Sequence, residues 1–175
     1  MKEKTLWIMC GVPGCGKSYI ATRALMRGNG WVYVSRDEIR MKYLEDGDVY
    51  FQKEGEVYDE FIYRLREALN DDEINNVIAD ATHLNWASRR KLLRHLGEKV
   101  KLNDLYIIPV VVYSSYDTCR KRNAERIGRA CVPEDILKKM YRAWRSPKTD
   151  PFKYDAIMEW DNETEAETDS ASAQV

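Results

Sequence analysis

Apolar and polar positions follow two periods along this chain. Short runs rich in β-branched and aromatic residues stand at 5–10, 31–34 (Trp-Val-Tyr-Val), 75–79 (Asn-Asn-Val-Ile-Ala) and 105–113. Between them, apolar residues recur three and four apart. The clearest case is 57–69, where Val57, Phe61, Leu65 and Leu69 share one helical face, flanked by Tyr58 and Ile62. The pattern predicts helices at 17–27, 36–44, 53–69, 86–96, 116–127 and 134–145. Gly28-Asn-Gly30 stops the first helix, and Val132-Pro133-Glu134 starts the last with proline at its first position. Near-continuous apolar strands separated by helices predict an α/β fold, a central parallel sheet of four to five strands flanked by helices. Pro109 removes a ladder donor from the fourth run. Ala156–Trp160 reads as a short added strand.

Charge divides the chain into two parts. Residues 159–175 hold six acids and no lysine or arginine, which leaves 28 bases against 23 acids, a formal +5, on residues 1–158. The expected organisation is one domain over 1–158 and an acidic, disordered tail over 159–175. A mildly cationic body suits a polyanionic substrate, although chance scatter of charge gives the same number. No apolar stretch is long enough to span a bilayer, and no secretory leader is recognisable. Cys10, Cys15, Cys119 and Cys131 form no C-x-x-C pair. A cytoplasmic protein without membrane contact is expected.

The candidate chemistry starts at Gly11-Val12-Pro13-Gly14-Cys15-Gly16-Lys17-Ser18, which matches G-x-x-x-x-G-K-[ST]. It follows a strand and opens a helix, the context this phosphate-binding motif requires. Glycines let backbone N–H groups curl around phosphate oxygens. Lys17 is expected on the β/γ-phosphates and Ser18 on Mg²⁺.

Three further elements stand at strand ends, where ligands of parallel sheets bind. After the second strand comes Ser35-Arg36-Asp37-Glu38-Ile39-Arg40. Asp37 can face the terminal phosphate and accept the proton of an attacking hydroxyl, and Arg40 can hold an acceptor phosphate. The same residues also read as a helix start, with Ser35 and Glu38 spaced as a capping box and Asp37 as a first-turn acid. After the third strand comes Asp80-Ala81-Thr82-His83-Leu84-Asn85. Asp80, Thr82 and His83 are the candidate acceptor-site residues, although an acid at Asp80 also stands in the usual place for a second carboxylate near Mg²⁺, and Thr82 and Asn85 serve equally as helix caps. A loop histidine either meets substrate or packs. After the fourth strand, Arg122 and Arg126 are four apart on an expected helix. They can close over a triphosphate, or lie on an exposed basic face. His95, in the basic run 89–95, reads as solvated.

These four elements, with Val132-Pro133-Glu134-Asp135-Ile136-Leu137-Lys138-Lys139-Met140-Tyr141, resemble the kinase domain of phage-type polynucleotide 5′-kinases over roughly residues 5–145. The resemblance implies a P-loop kinase that uses ATP or another nucleoside triphosphate, with Mg²⁺, to phosphorylate 5′-hydroxyl ends of RNA or DNA. It implies Lys17, Asp37 and Arg126 as catalytic residues, with Asp37 the general base. It implies Gly11 through Ser18, Arg122 and Arg126 as nucleotide contacts, Ser18 as metal ligand and Arg40 as acceptor-phosphate ligand. That family commonly carries Asp-Thr-Asn after its third strand. Here the run is Ala81-Thr82-His83, with the acid one place earlier at Asp80. A one-residue shift on a strand reverses side-chain direction. Two other readings fit the phosphate loop: a P-loop kinase of a small molecule (nucleoside, sugar or antibiotic), and a nucleotide-dependent switch or ATPase that transfers nothing.

Overall fold

The computed structural model describes residues 2–163. Five parallel strands, β1 (Lys4–Cys10), β2 (Trp31–Ser35), β3 (Asn76–Asp80), β4 (Leu105–Tyr113) and β5 (Met158–Asp161), lie in the order β2-β3-β1-β4-β5. Around them pack α1 (Lys17–Ile20), α2 (Arg36–Tyr43), α3 (Glu54–Asn70), α4 (Trp86–Gly97), α5 (Tyr116–Ala124) and α6 (Glu134–Ala143). Alternate residues of each strand feed two cores. Leu6, Ile8 and Cys10 face Phe61, Leu65, Leu92 and Leu96, while Met9, Ile78 and Val110 face Ile20, Leu25 and Cys119. Both faces are covered, which is why the strands read as unbroken apolar runs.

Pro109 is tolerated for a geometric reason. The Ile107 N–H donates to Asp155 on the β5 side of β4, so the ring nitrogen of residue 109 points the same way. Pairing with β5 begins only at Val110. The missing donor therefore faces a stretch where β5 has not started.

Three predicted helices end early. The first changes to a π-helix over Ala21–Leu25, where the Thr22 hydroxyl donates to the Ser18 carbonyl at 2.8 Å. The fifth stops at Ala124 instead of 127, because the buried Asn123 amide turns the chain back by bonding both Val132 N (3.0 Å) and Val132 O (2.7 Å). The sixth stops at Ala143, two residues short, where Trp144 turns extended. The fifth strand runs across the boundary expected at 158/159, and Asn162 N donates to the Tyr113 carbonyl at 3.0 Å. Most of the expected acidic tail, 164–175, lies outside the described residues.

No described helix is long and apolar enough to cross a membrane.

Candidate active site

The loop between β1 and α1 has a backbone that only glycine fits. Gly14 has φ +83° and Gly16 φ +98°. A Cβ on Gly14 would meet the Cys119 carbonyl oxygen at 2.3 Å, and one on Gly16 would meet Asn162 Nδ2 at 2.2 Å. Asn162 also donates to the Cys15 carbonyl at 3.0 Å, so the end of the sheet braces the loop. The Lys17 ammonium is buried beneath the loop and donates to the Val12 carbonyl at 2.9 Å. Cys15 is buried, with its sulfur 3.9 Å from that ammonium. Burial pushes the Cys10 and Cys119 thiols up to about 12, which keeps both protonated at neutral pH.

Register brings the ends of three strands together: Met9 stands beside Asp80, and Asp80 beside Ser35. The Ser18 hydroxyl donates to Asp80 Oδ2 at 2.6 Å, and so does the Tyr33 hydroxyl, also at 2.6 Å. Burial and the Asp80 charge keep the Tyr33 phenol protonated by raising it far above its ordinary value. Asp80 lines the cleft, but its carboxylate answers the phosphate loop. The register of β3, which sets Asp80 beside Met9 and Ser35, directs the carboxylate to that loop. Ser18 and Asp80 together offer hard oxygen donors of the kind Mg²⁺ prefers. No cluster of three or more His, Cys, Asp or Glu residues suited to a metal occurs among the described residues.

Asp37 projects from the first turn of α2, where the Ser35 hydroxyl caps the helix by accepting Glu38 N–H at 3.2 Å. Capping and a reactive position are thus compatible. The Asp37 carboxylate accepts from Arg40 Nη1 and from the Tyr50 hydroxyl at 3.0 Å. Burial raises the Asp37 carboxyl, but Arg40, Lys17, the Tyr50 hydroxyl and Arg126 outweigh it and hold it below the ordinary aspartate value. Arg40 is only 4% exposed. Its Nε donates to Glu54 Oε1 at 2.6 Å, and Arg36 donates to Glu54 Oε2 at 2.6 Å. The Arg40 guanidinium also lies 4.5 Å from the centre of the Tyr50 ring.

Lys17, Ser18, Asp37, Arg40, Asp80, Thr82 and Arg126 line one cleft of about 220 Å³. The two arginines after β4 are placed differently from expectation. Arg126 lies beyond the end of α5, so it does not share a helix face with Arg122, yet it reaches the cleft. Arg122 bonds Ser114 Oγ and the Asn162 carbonyl, both at 3.3 Å, on the flank of the loop beside Gly16.

His83 departs from the expected site. Its residue has φ +39°, which turns the ring into the core, where Nδ1 lies 2.7 Å from the Met9 carbonyl and Phe61 packs beside it. Burial pushes its imidazole down to about 3, so it stays neutral. Thr82 keeps a place in the cleft, and its carbonyl accepts Gly11 N–H at 2.9 Å. Asn85 is a cap, in a reciprocal capping box with Ser88.

Sequence reasoning missed Tyr33, Tyr50, Glu54 and Asn162. Tyr33 was available from period two, since it shares a strand face with Ser35. Tyr50 and Glu54 reach the cleft through the fold of the 45–53 loop, which carries no periodic signal.

A family model described as an AAA domain, AAA_33, matches residues 6–147. A chain of the Pnkp1/Rnl/Hen1 RNA repair complex superposes with a TM-score of 0.66 at 23% identity, over 88% of this chain and 48% of that one. This chain thus spans about half the length of that relative. A fungal RNA kinase superposes at 0.55 and 14% identity, over 91% of this chain and 75% of the other. A gluconokinase from Sinorhizobium meliloti 1021 superposes at 0.52 and 17% identity, over 92% and 84%. The fold is that of a P-loop kinase.

Proposed function

The chain belongs to the AAA_33 family of AAA domains, and from that premise we propose that it transfers the γ-phosphoryl group of ATP to the 5′-hydroxyl of a polynucleotide. The observation that carries this reading is the meeting of Lys17, Asp37 and Arg126 on one cleft. A carboxylate flanked by cations on a phosphate loop suits proton removal from a hydroxyl next to a phosphorus under attack. Asp37 is ionised at neutral pH because its cationic neighbours hold its carboxyl low. It therefore accepts the hydroxyl proton without first losing one.

The acceptor oxygen forms a bond to the γ-phosphorus as the bond to the β,γ-bridging oxygen breaks, and the nucleoside diphosphate leaves. Lys17 and Arg126 balance the charge on the transferring group, and Arg122 attends the donor from the flank of the loop. Ser18 and Asp80 would hold Mg²⁺, which neutralises β/γ charge when bound. Arg40, fixed by Glu54, orients Asp37 and presents positive charge to an acceptor phosphate. The polynucleotide acceptor is supported by the motif resemblance over roughly residues 5–145, by the +5 body and by the likeness to an RNA kinase. The likeness to a gluconokinase favours a small polyol instead.

One assay separates the readings: labelled phosphate transfer to 5′-hydroxyl RNA, to 5′-hydroxyl DNA, to a nucleoside 3′-monophosphate and to gluconate. Transfer to the oligonucleotides is expected. Transfer to gluconate alone, or ATP hydrolysis indifferent to every acceptor, overturns the proposal.

A further inference from the structure

The mouth of the cleft carries an aromatic surface that phosphoryl transfer itself does not require. Phe51 lines the same cleft as Asp37 yet is 38% exposed. Its ring centre lies 4.7 Å from that of Tyr50 at 87°, an edge-to-face contact that fixes the ring. The Arg40 guanidinium, which bonds Asp37, lies 5.4 Å from the Phe51 ring centre. One guanidinium therefore separates this ring from the carboxylate that faces the acceptor. Two further apolar side chains on these segments are exposed. Val49 and Met41, on the loop and on α2, are 68% and 40% exposed.

Resting on the polynucleotide reading above, we propose that Phe51 is a stacking platform for the base of the acceptor's 5′-terminal nucleoside, with Tyr50 holding the ring in place. Every nucleobase has a flat apolar face, and stacking it on an aromatic side chain is favourable whatever the sequence. A polyol offers no such face, and binding one would leave the Phe51 ring in water. Tyr50 has two tasks in this arrangement. Its hydroxyl bonds Asp37 and its ring supports Phe51, so it couples the position of the base to that of the carboxylate.

The test compares kcat/KM for two acceptors, a 5′-hydroxyl oligonucleotide and the same strand with an abasic 5′-terminal residue. Wild-type protein is expected to favour the base-bearing strand about 5- to 100-fold, the range of one base–aromatic stack. In Phe51→Ala that ratio is expected to fall toward one, chiefly through KM, and in Phe51→Trp to recover. A wild-type ratio near one, or a Phe51→Ala ratio equal to that of the wild type, overturns the platform while leaving the kinase reading intact. Wild-type protein that phosphorylates neither strand overturns both.

Discussion

The Ser18 hydroxyl and the Asp80 carboxylate are joined by a 2.6 Å hydrogen bond that links the phosphate loop to the end of the third strand. With the Tyr33 hydroxyl on the same oxygen, Asp80 is held against the phosphate loop. Asp80→Asn is expected to raise the Mg²⁺ concentration for half-maximal activity about 10- to 100-fold, as removal of a group that supports a metal ligand typically does. Magnesium titration of initial rates measures it. An effect confined to the KM of the acceptor would return Asp80 to the acceptor site.

Asp37 gives a sharper kinetic prediction. Asp37→Asn keeps the shape of the side chain but cannot take a proton. Turnover is expected to fall about 10²–10⁴-fold with little change in the Kd for ATP. Because neighbouring cations hold its carboxyl low, no acidic limb from Asp37 is expected above about pH 4. Tyr50→Phe removes one of the contacts that lower it and is expected to move that limb upward. Turnover above a tenth of wild type in the asparagine variant would dismiss Asp37 as the base.

Arg126 is expected to matter for rate and Arg122 for donor binding. Arg126 reaches the cleft from beyond the helix, whereas Arg122 stays bonded to Ser114 and Asn162 beside Gly16. Arg126→Ala should lower kcat by about 10³–10⁵, the worth of a comparable arginine in phosphoryl transfer. Arg122→Ala should act mainly on the KM for ATP. Steady-state kinetics with ATP varied distinguishes them, and equal losses in kcat would contradict the geometry.

The parts of this architecture that were legible share a physical cause. The phosphate loop, its flanking strand and α3 could be read because period and glycine spacing are local properties of the chain. The cap at Ser35 and the carboxylate of Asp37 could be read because both depend on one helix start. What escaped the sequence depends on tertiary register. That an acid at Asp80 belongs near the site could be read, but its bond to Ser18 requires β3 to lie beside β1 with Met9 opposite Asp80. Asn123 ends α5 through bonds to Val132, nine residues away. His83 enters the core through a single positive φ.

That histidine makes stability depend on pH. Its folded-state pKa, about 3, lies below the unfolded value near 6.5. A depressed value means the unfolded chain binds the proton first, so the contribution is complete above about 6.5 and is lost as pH falls toward 3. At pH 4.5 the loss should be about 2–3 kcal/mol. His83→Asn tolerates the left-handed backbone and removes the titration, so its stability should fall less steeply between pH 6.5 and 4. Urea melts across that range measure the slope. Equal slopes in the two proteins would mean that His83 is protonated in the folded state.

The basic run at 89–95 conceals the most buried ion pair described. Arg89 and Asp150 have side chains 0% and 1% exposed and meet through two bonds of 2.6 Å. Arg89 also donates to the His83 carbonyl (2.8 Å) and the Arg145 carbonyl (3.1 Å), while Tyr154 donates to Asp150 at 2.8 Å. The pair therefore ties α4 and the 83 turn to the segment that carries the chain from α6 to β5. Asp150→Ala leaves a guanidinium in the core with only carbonyl partners, and should destabilise the protein by about 3–5 kcal/mol. Replacing both members with apolar residues of similar volume, Arg89→Met with Asp150→Leu, removes the stranded charge and should recover most of that loss. Denaturant unfolding of the three proteins decides it. A double variant as unstable as the single one would mean that the carbonyls at 83 and 145 depend on the guanidinium, and that Arg89 acts there as a hydrogen-bond hub rather than as half of an ion pair.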